Sequence, residues 1–223
     1  MITSLNENLI FYDRQDAGIK LANKIADLQF KDVIVVALPR GGVPVAKPIA
    51  DKLKAQIDIM VAKKIGAPGN PEFAIGAVTS HGDYIISSYF EEEVNDNLDY
   101  IKEKAQELIS ECKLREEQYK ENLNISISFN HPFSSKTILL VDDGTATGMT
   151  ALAAIKSIKR QKPKKLIMAI PVISKEAYEE ISSQIDQLIP LKIPDSFIAV
   201  GAHYTNFTPV TDNDIKNLLC GDL

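Results

Sequence analysis

The chain predicts an α/β fold: a mostly parallel sheet flanked by helices, with a small hood region and an inserted helix. Three stretches carry this expectation. Val33 to Leu38, Ile138 to Val141 and Leu166 to Val172 are continuous apolar runs rich in β-branched residues, the pattern of strands buried on both faces. Each is followed by a segment with helical spacing of apolar residues. Strands alternating with helices imply parallel pairing, with helices covering both faces.

Taken in order, Asp13 can cap a helix that carries Ala17, Leu21 and Ile25 on one face, with Ile19, Ala22 and Ala26 widening it. The strand Val33–Leu38 runs into Pro39-Arg40-Gly41-Gly42 and a helix from about Val43 to Leu53, where Pro44 is tolerated in the first turn. Ile57 to Val61 reads as a second strand. Gly66-Ala67-Pro68-Gly69-Asn70-Pro71 is a chain of breakers and reads as a mobile loop. Phe73–Val78 and Tyr84–Ile86 form a hairpin turned by His81-Gly82-Asp83. Residues 91–121 are strongly charged and helical. After the strand at 166–172 comes a helix from Lys175, then the segment Val200–Thr208, and a final helix from Asp212 to Leu219. With no repeats and no low-complexity linker, residues 1–223 read as a single domain. Residues 79–130 form an inserted hairpin and helical region, and residues 190–223 a C-terminal hood segment.

Residues 137–150, Thr-Ile-Leu-Leu-Val-Asp-Asp-Gly-Thr-Ala-Thr-Gly-Met-Thr, carry the most chemistry. The strand ends in two adjacent carboxylates, Asp142 and Asp143. A small-residue loop, Gly144 to Thr150, then opens a helix through Leu152, Ala153, Ile155 and Ile158. Backbone N–H groups at a helix start are orphan donors at the positive end of the helix dipole, and so cradle phosphate. Thr147 and Thr150 can add hydroxyl donors. The acids suit neighbouring hydroxyls or a hard divalent cation. A sugar with a 5-phosphate and free hydroxyls fits this layout. A P-loop is excluded because its spacing and lysine are absent after Gly144, and no Gly-x-Gly-x-x-Gly run marks a dinucleotide site.

The loop Pro39-Arg40-Gly41-Gly42 also follows a strand and precedes a helix. Two glycines let backbone approach a ligand closely, and Arg40 adds a permanent fork of donors for phosphate oxygens. Lys63 and Lys64 lead into the breaker loop and read equally as ligand cations or as a solvated pair before a turn. Glu72 reads as a proton carrier or as a plain surface residue. His81, His131 and His203 share no helical face or metal spacing.

The chain has 223 residues, 45% hydrophobic and 25% charged, ordinary values for a globular domain with an adequate core. The net charge of −5 and the lack of a large basic block argue against nucleic acid as a partner. The cations Lys159, Arg160, Lys162, Lys164 and Lys165 read better as the end of a helix stopped by Pro163. Two cysteines, Cys112 and Cys220, form no metal or redox motif. No export signal and no membrane-length apolar run are seen, so no membrane partner and a cytoplasmic location are expected.

Val141-Asp142-Asp143-Gly144-Thr145-Ala146-Thr147-Gly148-Met149-Thr150 resembles the binding signature of type I phosphoribosyltransferases. Further stretches resemble stand-alone bacterial phosphoribosyltransferase-like proteins of undefined substrate: Phe11–Arg14, Leu38–Ala46, Lys64–Glu72 and Val200–Tyr204. The resemblance implies the type I phosphoribosyltransferase fold. It implies an enzyme that uses 5-phosphoribosyl-1-diphosphate and Mg²⁺ to transfer phosphoribose to a nitrogen acceptor, with release of diphosphate. It places the 5-phosphate on Gly144, Thr145, Ala146, Thr147, Gly148, Met149 and Thr150, and the ribose hydroxyls on Asp142 and Asp143. Mg²⁺ would bridge those hydroxyls and the diphosphate, reaching the two acids indirectly. Pro39, Arg40, Gly41 and Gly42 would form the diphosphate loop, with a cis peptide before Arg40. Lys63 and Lys64 would neutralise the leaving group on a closing loop. Asp142, Asp143 and Arg40 are the expected catalytic residues. His203 and Tyr204 would border the acceptor, with Tyr204 equally a core aromatic. Ala146 stands where enzymes for 6-oxopurines carry an acid, and the 168–172 strand end lacks their lysine, so hypoxanthine and guanine are disfavoured. The other reading is a non-catalytic regulatory protein that binds phosphoribosyl compounds or nucleotides. The 91–121 helix is most simply solvated. A homodimer through it is left open.

Overall fold

The computed structural model describes residues 9–87, 90, 97–123 and 133–220. Five strands, β1 (Val33–Ala37), β2 (Gln56–Ile59), β6 (Thr137–Val141), β7 (Lys165–Val172) and β8 (Gln187–Lys192), form one sheet in the order β2-β1-β6-β7-β8. Every pairing in it is parallel. Three further strands, β3 (Ala62–Ala67), β4 (Asn70–Thr79) and β5 (Tyr84–Ile86), make a separate antiparallel sheet.

The period-2 alternation of side chains divides the core in two. Val35, Ala37, Leu139, Val141, Ile167 and Ala169 face one side. There they meet helices α1 (Arg14–Ala26) and α2 (Gly42–Leu53) through residues such as Leu21, Ile25, Val45 and Ile49. Ile34, Val36, Ile138, Leu140, Met168 and Ile170 face the other. That side is covered by α4 (Met149–Arg160) and α5 (Lys175–Ser182), through Leu152, Ile155, Ile158, Ala177 and Ile181. Strands covered on both faces explain the unbroken apolar runs.

The long helix α3 (Leu98–Leu123) lays Ile101, Ala105, Leu108 and Cys112 on the antiparallel sheet, against Ile65, Ile75 and Val78. Helical spacing of those four residues defines one buried stripe on an otherwise charged helix. Residues 91–96 of the expected helix, and His131, lie outside the described residues. The chain ends with α6 (Asp212–Cys220).

Some elements differ from the sequence expectation. The run from Gly66 to Pro71 is no loop but the tip of the β3–β4 hairpin, where Ala67 pairs with Asn70 around Pro68-Gly69. Gly69 has φ +74. A proline followed by a glycine at positive φ is a tight-turn signature, so the breakers turn the chain rather than loosen it. Register shifts flank Gly66 and absorb the other irregularity. The strand expected at Ile57–Val61 ends at Ile59. β8 was not foreseen, because Pro190 interrupts a short apolar run. It is an edge strand, where a missing N–H is tolerated. Ile19 was expected to widen the buried face of α1 but is 48% exposed.

Candidate active site

The site lies at the carboxyl ends of β1 and β6, neighbours in the sheet, where ligands of open α/β sheets bind. The chain after β1 turns through a cis peptide between Pro39 and Arg40. The N–H of Gly42 then donates to the Leu38 carbonyl at 2.9 Å and starts α2. Two glycines let this loop lie flat against the end of β6. A Cβ on Gly41 would sit 2.0 Å from Asp143 Oδ2, and one on Gly42 would sit 2.7 Å from the Val141 carbonyl oxygen. The Arg40 side chain is exposed, and its charge helps keep Asp212 ionised.

The loop after β6 is tied down by its own small residues. The Thr145 N–H donates to Val172 O at 3.1 Å, and the Gly148 N–H donates to Thr145 Oγ1 at 2.9 Å. Ser174 Oγ donates to the Ala146 carbonyl at 2.6 Å while accepting the Ala177 N–H that caps α5. Gly148, at φ +72, turns the chain into α4. Among the described residues, the N–H groups of Ala146, Thr147, Met149 and Thr150 have no protein acceptor. Ala146 and Thr147 are exposed. These orphan donors sit at the positive end of α4 and form an anion cradle. The Thr145 hydroxyl is turned inward, and the Met149 side chain is in the core. From these two residues, only the Met149 amide is open to a ligand.

Asp142 and Asp143 sit between the two loops. Burial, reinforced by the Asp143 charge, pushes the Asp142 carboxyl well above the usual carboxylate range. Burial also raises Asp143, with Arg14 holding it partly down. Arg14 Nε donates to Asp143 Oδ2 at 2.7 Å and Nη1 to the Thr208 carbonyl at 2.8 Å, while the guanidinium lies 3.7 Å from the Phe207 ring centroid. The Tyr204 hydroxyl donates to the Asp143 carbonyl at 2.5 Å. Its ring packs on Phe11 and Phe207, and burial with the nearby Asp143 charge pushes the phenol up, so it remains a donor. Tyr204 is therefore a core aromatic with a polar anchor and no open stacking platform.

Sequence reasoning assigned no role to Arg14. A cation as the first residue of a helix opposes the dipole, and such a broken local rule was the available signal.

The structure brings together Pro39 to Gly42, Asp142, Asp143 and the 144–150 loop. It does not bring Lys63 to this corner: on β3 its ammonium pairs with Glu111 of α3. Lys64 lies on the opposite face of the hairpin, exposed and directly across from Ala77. The side chain of Glu72 lies outside the described residues. His203 is buried and its Nε2 has no partner among the described residues; burial lowers its basicity.

Comparison with known proteins agrees with this geometry. The model of the phosphoribosyl transferase domain matches residues 11–204, and the chain belongs to that family. The crystal structure of TT1426 from Thermus thermophilus is 34% identical, covering 96% of this chain and 99% of that one, with a TM-score of 0.78. Two Mycobacterium tuberculosis proteins, each named "Putative phosphoribosyl transferase", are 32% identical over 210 residues, or 94% of this chain. The chain spans 46% of their length, about half of the curated relatives it matches. The AQ2163 protein of Aquifex aeolicus, 11% identical with a TM-score of 0.52, covering 92% of this chain and 84% of that one, shares the fold. No helix among the described residues is long and apolar enough to cross a membrane.

Proposed function

We propose that the protein transfers the phosphoribosyl group of 5-phosphoribosyl-1-diphosphate to a nitrogen acceptor, with a nucleobase the simplest case, and releases diphosphate. The observation that carries this reading is the meeting of two strand-end loops at one corner: the orphan amides of Ala146, Thr147, Met149 and Thr150 on one side, and adjacent acids, of which Asp143 packs against Gly41, on the other.

The 5-phosphate accepts from the amides of Ala146, Thr147, Met149 and Thr150 and from the Thr147 and Thr150 hydroxyls. Asp142 and Asp143 accept the ribose hydroxyls. Arg14 and Tyr204 hold Asp143 in place for this. Arg40 and the amide of Gly41 receive the diphosphate, and Gly42, whose own amide is held by Leu38, leaves room for its close approach. As the anomeric C–O bond breaks, its electron pair leaves with diphosphate and positive charge develops at the anomeric carbon. The acceptor nitrogen's lone pair then forms the new bond from the opposite face, and its proton is lost afterwards. Such a reaction needs positioning and charge stabilisation more than covalent help.

Mg²⁺ fits this corner as a companion of the donor. Asp142 and Asp143 would reach it indirectly, through the ribose hydroxyls they hold, and the donor's own oxygens are the hard ligands that suit it. When bound, it offsets the charge of the diphosphate. Lys64, exposed on the hairpin face opposite Lys63, would approach the leaving group. The small antiparallel sheet and the 190–223 segment act as the hood over the acceptor, and the protein works in the cytoplasm.

The test is diphosphate release from donor and Mg²⁺ over a panel of nucleobases and small amines. Release that needs all three components supports transfer. Donor binding with no turnover for any acceptor makes this a binding protein, and failure to bind ribose 5-phosphate ends the reading.

A further inference from the structure

A cavity of about 470 Å³ opens beside the donor corner, between the start of α1, the first turn of α2, the 206–210 segment and α6. It shares Arg14 with the site: the same guanidinium that holds Asp143 lines the cavity wall. Pro44, in the first turn after Gly41 and Gly42, lines another side. The cavity therefore adjoins the donor corner through Arg14, and its volume admits a heterocycle of one or two rings.

Its wall has a definite polarity. Arg14 brings no net positive charge, because Asp143 already neutralises it. Asp13 and Asp214 bring two carboxylates, and no cation is paired with either among the described residues. Asp13 Oδ1 accepts only the Asp16 amide, and Asp214 Oδ2 accepts the amide and hydroxyl of Thr211. Each acid retains acceptor capacity on its other oxygen. Gln15, Asn206 and Asn217 add neutral amides. An anionic acceptor would meet two like charges here, whereas a compound rich in N–H groups would find acceptors.

Resting on the phosphoribosyl-transfer reading, we propose that this cavity is the acceptor subsite, and that it selects uncharged or cationic nitrogen compounds bearing amino groups and rejects carboxylated ones. Asp13, Asp214 and Asn217 are the residues that set this preference.

The experiment uses the full chain with 5-phosphoribosyl-1-diphosphate, Mg²⁺ and two sets of acceptors: adenine and cytosine against orotate and nicotinate. Donor affinity, measured by calorimetry, is followed in parallel and tests the underlying reading alone. The expected result is diphosphate release with the amino-bearing set only. Asp214→Asn and Asn217→Lys should each raise the KM for those acceptors about tenfold, the order expected when a charged hydrogen-bonding partner is lost or opposed. Donor affinity should stay within about twofold, since neither residue faces the donor loops. Asn217→Lys covers the case in which Asp214→Asn weakens α6 through its Thr211 contacts. Preferred turnover of a carboxylated acceptor, no turnover of either set with donor bound, or cavity variants with unchanged acceptor KM would each overturn the proposal. Loss of donor binding in the unmodified protein would instead overturn the transfer reading.

Discussion

The donor corner and the hairpin flank are built in different ways, although both hang on the same sheet. At the corner, between Leu38–Gly42 and Val141–Thr150, glycine backbone lies against the Val141 carbonyl and the Asp143 carboxylate. Glycines allow separations that no side chain could share, and the loop hydrogen bonds run between neighbours in sequence or along one sheet edge. At the flank, β3, β4 and α3 are joined by side chains distant in sequence. Lys63 pairs with Glu111, and the buried Glu116 takes the Ser80 hydroxyl. A corner made of amides is rigid and intolerant of added atoms. The exposed Lys63–Glu111 pair of the flank tolerates exchange, because solvent competes for it.

The largest effect should come from removing both acids at the corner. Asp142→Asn with Asp143→Asn is expected to cut affinity for 5-phosphoribosyl-1-diphosphate by about a hundredfold or more, as two charge-assisted hydrogen bonds are lost. Calorimetry checks this, and an unchanged Kd would mean the acids do not touch the sugar. Next, Gly41→Ala places a methyl 2.0 Å from Asp143 Oδ2, forcing that carboxylate off Arg14. Donor affinity should fall by about tenfold or more, in line with the loss of one charged contact, with the parallel sheet intact by circular dichroism.

The third prediction concerns pH. The carboxyl groups of Asp142 and Asp143 are raised in the folded protein. Their contribution to stability is therefore full below the unfolded carboxylate value and is lost as pH rises through the raised values. Single Asp142→Asn should stabilise the free protein at pH 7 by on the order of 1 kcal/mol, about 2–4 °C in Tm. That gain should vanish below about pH 3, where the acid is protonated in both states. Donor affinity of the unmodified protein should run the opposite way and fall as pH drops through the raised range, because the ionised acids accept the hydroxyls. A Tm gain that stays constant with pH would remove the burial account.

The smallest effect belongs to the flank. Lys63→Ala should change stability by less than about 1 kcal/mol and lose even that in high salt, since both partners are more than a third exposed. Donor affinity should be unaltered. A large loss of affinity would return Lys63 to the diphosphate and erase the distinction between the two regions.

How much of this was legible beforehand follows the same division. The strands at 33–37, 137–141 and 165–172, the helices after them and the cap at Asp13 were readable, because each depends on local periodicity and on a capping side chain three residues away. The 66–71 segment was misread as a mobile loop, since Pro68-Gly69 marks a turn without saying whether the arms pair. β8 was hidden by Pro190, whose tolerance depends on lying at a sheet edge. Arg14 gave only the faint signal of a cation at a helix start, because its partner is 129 residues away.

What the amino-acid order alone determined was the class of fold and the two glycine-bearing loops that follow its central strands. Periodicity, small residues and adjacent acids are properties of neighbours, and neighbours are visible in one dimension. Only the tertiary structure decided that β1 and β6 lie side by side, that Gly41 therefore meets Asp143, and that Arg14 and Tyr204 anchor that acid beside an acidic cavity. Those contacts depend on strand order and helix packing, which arise when the two faces of the sheet are covered.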